Sequence, residues 1–267
     1  MKLVSYKTGV EEHLGIISGD FIYNLSACNE AIPDRMTDFL KWGAELMERA
    51  GETAAQISEG SLAASPVDSC ELLAPVPHPA SCRDGYAFRQ HVATARRNRG
   101  LEMIPEYDQF PVFYFTNHQA IQGPGEIRCM PAHLDKLDFE LELAVVLNKQ
   151  GRNVPASRAD SYIAGYMIMN DMSARTLQMQ EMKLNLGPAK GKDFSTVIGP
   201  WLVTPDELVA WRVNPPAGHT GAQYDLTMQC RVNGTLISEG SSASMDWTFA
   251  EIIERCSYGA DVFPGDV

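Results

Sequence analysis

A short segment in the middle of the chain alternates apolar and acidic residues. Over 137–143 the odd positions are apolar, and the positions between them are Asp138, Glu140 and Glu142. Successive side chains of a strand point to opposite faces, so this segment predicts one apolar face and one face with three carboxylates. Glu140 and Glu142 would lie about 7 Å apart along the strand, close enough to bind one cation. A solvated sheet face gives the same pattern, and the pattern alone leaves both readings open.

The rest of the chain is predicted to consist of short strands with few helices between them. Predicted strands cover 3–6, 13–18, 21–25, 111–115, 137–147, 163–170, 197–203, 224–232 and 236–238, and Asn233-Gly234 predicts a tight hairpin turn. Predicted helices cover 37–50 (capped by Thr37), 52–60, 85–99, 173–183 and 247–255. Strands and helices do not alternate regularly. We therefore expect an α+β fold with a mostly antiparallel or mixed sheet.

Alternating prolines mark a candidate domain boundary. Pro75, Pro77 and Pro79 form a stiff, extended crossing. Residues 1–70 are predicted to form a small N-terminal α+β domain, and residues 71–267 a larger catalytic domain.

Charge and composition exclude several classes of protein. The 267 residues carry 22 basic and 34 acidic side chains, a formal charge of −12, which disfavours nucleic acid as a partner. No apolar run reaches the length of a membrane span, and the first residues lack the apolar core of a signal peptide. The six cysteines form no Cys-x-x-Cys pair, which argues against zinc ribbons and thioredoxin chemistry. We expect free thiols, a cytoplasmic location and no membrane partner.

Further candidate residues lie outside the alternating strand, and each has an ordinary structural explanation. Asp171 ends an apolar run and Asp84 precedes a predicted helix, so each is a candidate ligand or a helix cap. His91 has the pattern of an ordinary histidine, and Lys192 lies in a glycine-containing loop that could approach an anion or be a flexible surface loop. A site made of carboxylates suits a hard cation such as Mg²⁺ or Ca²⁺ rather than zinc.

Taken together, these segments resemble the fumarylacetoacetate hydrolase family over about residues 75–267. The matching strings are Arg83-Asp84-Gly85-Tyr86-Ala87-Phe88-Arg89-Gln90-His91, Leu137-Asp138-Phe139-Glu140-Leu141-Glu142, Met169-Asn170-Asp171-Met172-Ser173-Ala174-Arg175 with Gln178, and Gly187-Pro188-Ala189-Lys190-Gly191-Lys192-Asp193-Phe194. Pro200-Trp201 and Pro264-Gly265-Asp266-Val267 fit as well. Each string alone is weak, but their order and spacing are specific.

The resemblance implies the roles of the site residues. The metal ligands would be Asp84, Glu140, Glu142 and Asp171, holding Mg²⁺, or Ca²⁺ or Mn²⁺. The catalytic residues would be His91, which activates water, and Lys192 and Arg175, which hold substrate oxygens. The other substrate contacts would come from Tyr86, Tyr114 and Gln178.

The resemblance also implies a β-roll fold, a homodimer and a reaction. The expected reaction is metal-dependent hydrolysis of a C–C bond in a small 1,3-dicarbonyl acid of the acylpyruvate type. The alternative is decarboxylation or isomerisation of a 2-oxo acid by the same site, and a non-catalytic, metal-stabilised dimer is a further one. Decarboxylation requires no activated water, so His91 would be dispensable for it.

Three positions depart from the family pattern. Thr94 stands where the acylpyruvase branch pairs its histidine with a glutamate, and Met182 stands where fumarylacetoacetase has a substrate-binding tyrosine. The family pattern also continues past Pro264-Gly265-Asp266 into further strands, whereas this sequence ends at Val267, so we expect unpaired strand edges.

Overall fold

The computed structural model describes residues 1–58 and 64–267. The strands are β1 (Lys2–Thr8), β2 (Glu11–Ser18), β3 (Phe21–Asn24), β4 (Ser65–Pro66), β5 (Glu71–Leu72), β6 (Cys82–Gly85), β7 (Phe113–Thr116), β8 (Ile121–Gln122), β9 (Leu137–Asp138), β10 (Leu141–Leu147), β11 (Gly151–Arg152), β12 (Ile163–Asp171), β13 (Ser173–Ala174), β14 (Thr196–Ile198), β15 (Leu202–Val203), β16 (Arg212–Val213), β17 (Gln223–Tyr224), β18 (Thr227–Val232), β19 (Thr235–Ser241) and β20 (Asp261–Val262).

The α-helices are α1 (Leu25–Cys28), α2 (Met36–Lys41), α3 (Ala44–Ser58), α4 (Arg89–Arg97), α5 (Pro131–Leu134), α6 (Ala156–Ala159), α7 (Arg175–Glu181) and α8 (Phe249–Ser257). Short 3₁₀ turns connect several elements, and one of them, Ala189–Gly191, leads directly into the candidate site. Within the described ranges, no helix combines the length and the apolar composition needed to cross a bilayer.

One large mixed sheet organises the molecule. Within the described ranges its order is β4-β3-β2-β1-β15-β12-β14-β8, with β10 also paired to β12 and β5 to β1. The pairing of β14 with β8 is parallel, and the other pairings in this sheet are antiparallel. The predicted α+β fold with a mixed sheet is confirmed.

Strand β12 is the centre of this sheet and determines where the site lies. Its run of nine residues is flanked by β10 on one side and by β14 and β15 on the other. Met167 and Met169 pack into one core, and Tyr166 packs into a second core beside Tyr224. Because both faces are covered along its first five residues, this part of the strand is continuously apolar, whereas Ile168 is 60% exposed; the buried carboxylate of Asp171 comes at the very end of the strand.

The N-terminal residues share the sheet and core of the rest of the chain. Leu3 of β1 lies opposite Leu202 of β15, and Phe39 of α2 belongs to the same core as Met167. The apolar contacts therefore run across the proline-rich crossing, and the division at residues 70 and 71 stays a prediction.

The structure corrects the predicted helices in the N-terminal part. The helix predicted over 37–50 is divided, since α2 ends at Lys41 and α3 begins at Ala44. Gly43 between them adopts a φ of +55°, which interrupts the helical path. Thr37 is not the cap, because α2 begins one residue before it. Part of the weaker helix predicted over 52–60 belongs to α3, and its end lies outside the described residues.

The structure also corrects the interpretation of Asp84 and Asp171 as helix caps. The helix predicted over 85–99 begins only at Arg89, so Asp84 lies in strand β6. The first N–H of α4 donates instead to the carboxylate of Asp246, at 2.8 Å. Asp171 is the last residue of β12, and α7 begins four residues later at Arg175. Neither carboxylate is therefore used to cap a helix.

Candidate metal centre

Four carboxylates from three parts of the fold converge at one end of the central sheet. One oxygen each from Asp84, Glu140, Glu142 and Asp171 lies within 4.8 Å of the others. The four residues predicted as metal ligands are thus brought together in the structure.

The sheet register explains how two of these carboxylates meet. Glu142 on β10 lies opposite Met169 on β12, and Asp171 ends that same strand two residues later. Residues two apart on a strand share a face, so both carboxylates project to the same side of the sheet.

A break in the predicted strand 137–147 places the third carboxylate. Residues 139 and 140 fall between β9 and β10, and the N–H of Glu140 donates to the Asn170 side-chain oxygen at 3.2 Å. Asn170 therefore holds the backbone of one candidate ligand while its chain neighbour Asp171 is another. No sequence pattern predicts this role for Asn170, although the residue directly precedes a predicted ligand.

Asp84 reaches the cluster from the antiparallel pair β6–β7. It lies directly opposite Tyr114, and the Tyr114 hydroxyl donates to Asp84 Oδ2 at 2.7 Å and to Asp171 Oδ2 at 3.3 Å. Burial, followed by the charges of Asp84 and Asp171, raises the pKa of the Tyr114 hydroxyl. Tyr114 is therefore a neutral donor that joins two candidate ligands.

Lys192 supplies a buried positive charge at the same place. Its Nζ lies 2.7 Å from Asp171 Oδ2 and 3.0 Å from Glu140 Oε2, and its side chain is 4% exposed. The preceding Gly191 packs directly on α7, where a Cβ would lie 2.6 Å from the Cβ of Gln178. The interpretation of this lysine as part of a flexible surface loop is wrong, because the loop is packed and the charge is buried.

The cluster carries excess negative charge, and this affects the pKa values of its members. Burial and then its acidic neighbours raise the pKa of Glu142. Burial also raises the pKa of Asp84, and it raises that of Asp171 to about 7 despite the opposing effect of Lys192. Burial would raise the pKa of Glu140 too, but Lys192 and Arg175 outweigh it and hold that pKa at about 2. Burial opposes the charge of Lys192 as well, but Asp171 and Glu140 raise its pKa.

The residues present suit a hard divalent cation. Asp171 Oδ1 is buried and has no hydrogen-bond partner, so one oxygen of the cluster is left for a ligand. Carboxylate oxygens without histidine or thiolate favour Mg²⁺, Ca²⁺ or Mn²⁺ over zinc. The four carboxylates could hold such an ion, which would stabilise their charged forms against the burial and the mutual repulsion that raise three of their pKa values.

Arg175 and Gln178 lie beside the cluster, on α7. The guanidinium of Arg175 contacts Glu140 Oε1 at 2.7 Å and Asp138 Oδ2 at 2.8 Å, and it donates to Gln178 Oε1 at 3.0 Å. The side chain of Arg175 is thus engaged with three groups of the protein. Its predicted role as a contact to substrate oxygens stays a prediction, and so does that of Gln178.

Tyr86 precedes α4 and His91 lies on it, and neither belongs to the carboxylate cluster. Their ring centroids are 5.9 Å apart, and both side chains are exposed. Burial of the hydroxyl, followed by the charge of Glu140, raises the pKa of Tyr86. Among the described residues, neither ring hydrogen-bonds to a carboxylate of the cluster. The water-activating role predicted for His91 stays a prediction.

Comparisons with known proteins point to one family. The fumarylacetoacetate (FAA) hydrolase C-terminal family matches residues 81–267. Oxaloacetate tautomerase Fahd2a, mitochondrial, of Rattus norvegicus is 28% identical over 279 residues, which cover 100% of this chain and 79% of that protein.

Two solved structures have the same fold. The 5-carboxymethyl-2-hydroxymuconate delta-isomerase of Mycobacterium smegmatis is 22% identical with a TM-score of 0.68, covering 100% of this chain and 86% of that one. Maleylpyruvate hydrolase of Sphingobium sp. SYK-6, in complex with manganese (II) ion and pyruvate, is 23% identical with a TM-score of 0.70 and the same two coverages of 100% and 86%. The matched segment carries all four converging carboxylates, and the chain belongs to the fumarylacetoacetate hydrolase family.

Proposed function

We propose that this protein is a metal-dependent tautomerase of a small 2-oxo dicarboxylic acid of the oxaloacetate type. The observation that carries the proposal is the placement of the proton-carrying groups. Lys192 and Tyr114 lie inside the carboxylate cluster, whereas His91 lies outside it. Tautomerisation moves a proton between carbon and oxygen and requires no activated water, so this distribution of groups is sufficient for it.

The chemistry divides between the cation and the chain. A divalent cation, Mg²⁺ in the first instance, would polarise the 2-oxo group and stabilise enolate charge. Lys192 would deliver a proton from its ammonium Nζ to the substrate carbon, and the neutral amine would then accept the proton that leaves the enol oxygen; in the reverse direction the same two transfers run backwards. Tyr114 would fix Asp84 and Asp171 through its hydroxyl. A relative whose alignment spans this whole chain is named an oxaloacetate tautomerase, which supports this substrate class.

A second candidate is hydrolysis of a C–C bond in an acylpyruvate-type acid. It is favoured by the position of His91, whose ring lies 5.9 Å from that of Tyr86. Both residues lie in the segment that follows Asp84, so His91 could take a proton from a water that approaches from this side. Decarboxylation of oxaloacetate would need neither residue and is measured in the same experiment.

The experiment compares three reactions of the purified protein in Mg²⁺ and in EDTA. The readouts are loss of the ultraviolet absorbance of enol oxaloacetate, release of carbon dioxide, and release of acetate from acetylpyruvate. We expect metal-dependent loss of the enol signal, unchanged in His91→Asn and at least about a hundredfold slower in Lys192→Met. The matched control is Lys190→Met in the same loop, since Lys190 is exposed and pairs with Asp193 outside the cluster.

Two results would overturn the tautomerase proposal. Acetate release that disappears in His91→Asn, with no acceleration of the enol reaction, would identify the hydrolase instead. If enol oxaloacetate is turned over equally fast in Mg²⁺ and in EDTA, the reaction does not use the cation.

A further inference from the structure

We propose that Asp138 is a positioning residue for the metal centre, which holds Arg175 against Glu140 and so fixes the oxygen that Glu140 presents to the cation. The inference rests on the proposed metal-dependent function. It assigns a role to a carboxylate that lies outside the cluster of candidate ligands.

The contacts form a continuous path from Asp138 to Glu140. Asp138 Oδ2 accepts a hydrogen bond from Arg175 Nε at 2.8 Å, and Arg175 Nη1 contacts Glu140 Oε1 at 2.7 Å. The second Asp138 oxygen, Oδ1, accepts from the N–H of Phe139 at 2.9 Å. Both oxygens of Asp138 are thus engaged, and its carboxylate has one orientation relative to Arg175.

The backbone holds the two ends of this path in register. Asp138 on β9 lies opposite Ser173 on β13, and the N–H of Arg175 donates to the carbonyl of Lys136 at 2.9 Å. The separation between Asp138 and Arg175 is therefore set by main-chain bonds rather than by their ion pair. The ion pair determines the direction of the guanidinium.

The direction of the guanidinium matters because the two Glu140 oxygens have different partners. Oε1 contacts Arg175, whereas Oε2 contacts Lys192 within the cluster, at 3.0 Å. While Arg175 holds Oε1, the oxygen directed into the cluster is Oε2. The Arg175 side chain is 26% exposed, and without Asp138 its Nε would lose its partner, so that only Nη1 would be held, by Glu140 and Gln178. Groups that orient a metal ligand in this way change metal affinity by about 10- to 100-fold when they are removed.

The test is the affinity for Mn²⁺, measured by titration calorimetry on the purified protein and on Asp138→Asn. We expect about 10- to 100-fold weaker Mn²⁺ binding in Asp138→Asn than in the wild type. Asp138→Glu restores the carboxylate and is expected to recover part of the affinity.

Two control variants separate positioning from charge. Asp261→Asn removes an aspartate that pairs with Arg152 and has nearly the same exposure, 43% against 44% for Asp138. Asp135→Asn removes an exposed negative charge three residues from Asp138. Both are expected to bind Mn²⁺ like the wild type.

Three results would overturn the inference. Equal Mn²⁺ affinity in Asp138→Asn and wild type would show that Arg175 does not depend on Asp138. If Asp138→Asn binds Mn²⁺ like the wild type but has a raised substrate KM, Asp138 and Arg175 act in substrate binding instead. An equal loss of Mn²⁺ affinity in Asp135→Asn would mean that Asp138 acts only through its negative charge. Failure of the wild type itself to bind Mn²⁺ would instead refute the metal centre, and with it the proposed function.

Discussion

The metal-free protein is expected to become less stable as the pH rises from about 4 to 7. The pKa of Asp171 is raised from 3.8 to about 7, so at intermediate pH the folded protein holds a proton that the unfolded chain releases. A group with a raised pKa stabilises the fold fully below its unfolded value, and this contribution is lost as the pH passes the folded value.

The size of the effect follows from the shift of Asp171. Each unit of pKa difference corresponds to about 1.4 kcal/mol, so Asp171 alone contributes at most about 4 kcal/mol between pH 4 and 7. The raised pKa values of Asp84 and Glu142 act in the same direction. This is a large fraction of the stability of an ordinary domain, about 5–15 kcal/mol.

Glu140 has the opposite dependence in a different pH range. Its pKa is lowered from 4.5 to about 2, so its contribution is complete above pH 4.5 and is lost only as the pH falls towards 2. The two effects do not overlap between pH 5 and 7, where the raised pKa values of Asp171, Asp84 and Glu142 together determine the slope.

The assay is urea unfolding at pH 5, 6, 7 and 8, in EDTA and in excess Mg²⁺. We expect the free energy of unfolding in EDTA to fall with pH, and Mg²⁺ to raise it most at pH 8, where the carboxylates are ionised. Asp171→Asn should reduce the slope by the share that Asp171 contributes, whereas Asp261→Asn, in an exposed ion pair, should keep it. A free energy of unfolding that rises from pH 5 to 8 in EDTA would refute the reasoning.

Three further predictions concern packing, capping and assembly. Gly191→Ala places a Cβ 2.6 Å from Gln178 and is expected to cost about 1–3 kcal/mol in urea unfolding, whereas Gly240→Ala, with no atom within 4 Å of its Cβ, should cost none. Asp246→Ala removes the acceptor for the Arg89 N–H and should cost about 1 kcal/mol, with faster hydrogen exchange at the start of α4. The family resemblance implies a homodimer, and a monomer mass in light scattering would contradict it.

The alternating segment 137–143 shows what sequence periodicity can and cannot predict. It predicts that Glu140 and Glu142 lie close together, and it leaves open whether they form a site or a solvated face. The structure brings both into the cluster, although Glu140 lies between two strands. The periodicity does not predict the break between β9 and β10, which depends on the pairing of β9 with β13, 35 residues along the chain at Ser173. A contact of that kind leaves no signal in the local pattern.

The candidate site was predictable only because the family resemblance joined distant segments. Spacing alone left Asp84 and Asp171 as equally good helix caps, and both lie in strands. The burial of Lys192 depends on Gly191 packing against α7, which no local propensity encodes. Asp246, whose carboxylate accepts the hydrogen bond from the Arg89 N–H, lies 157 residues further along the chain. These are tertiary contacts, and they determine the chemistry of the site.

The distribution of charge links cation binding to the release of Lys192. Four carboxylates face one ammonium group in the cluster, and Arg175 contributes a second positive charge from outside. The two oxygens that Lys192 contacts, Asp171 Oδ2 and Glu140 Oε2, belong to candidate ligands. A cation held by the same carboxylates would weaken the attraction of these oxygens for Nζ, because it neutralises part of their charge. The lysine that balances the metal-free cluster would then be available to exchange a proton with the substrate, so one residue can serve both stability and catalysis.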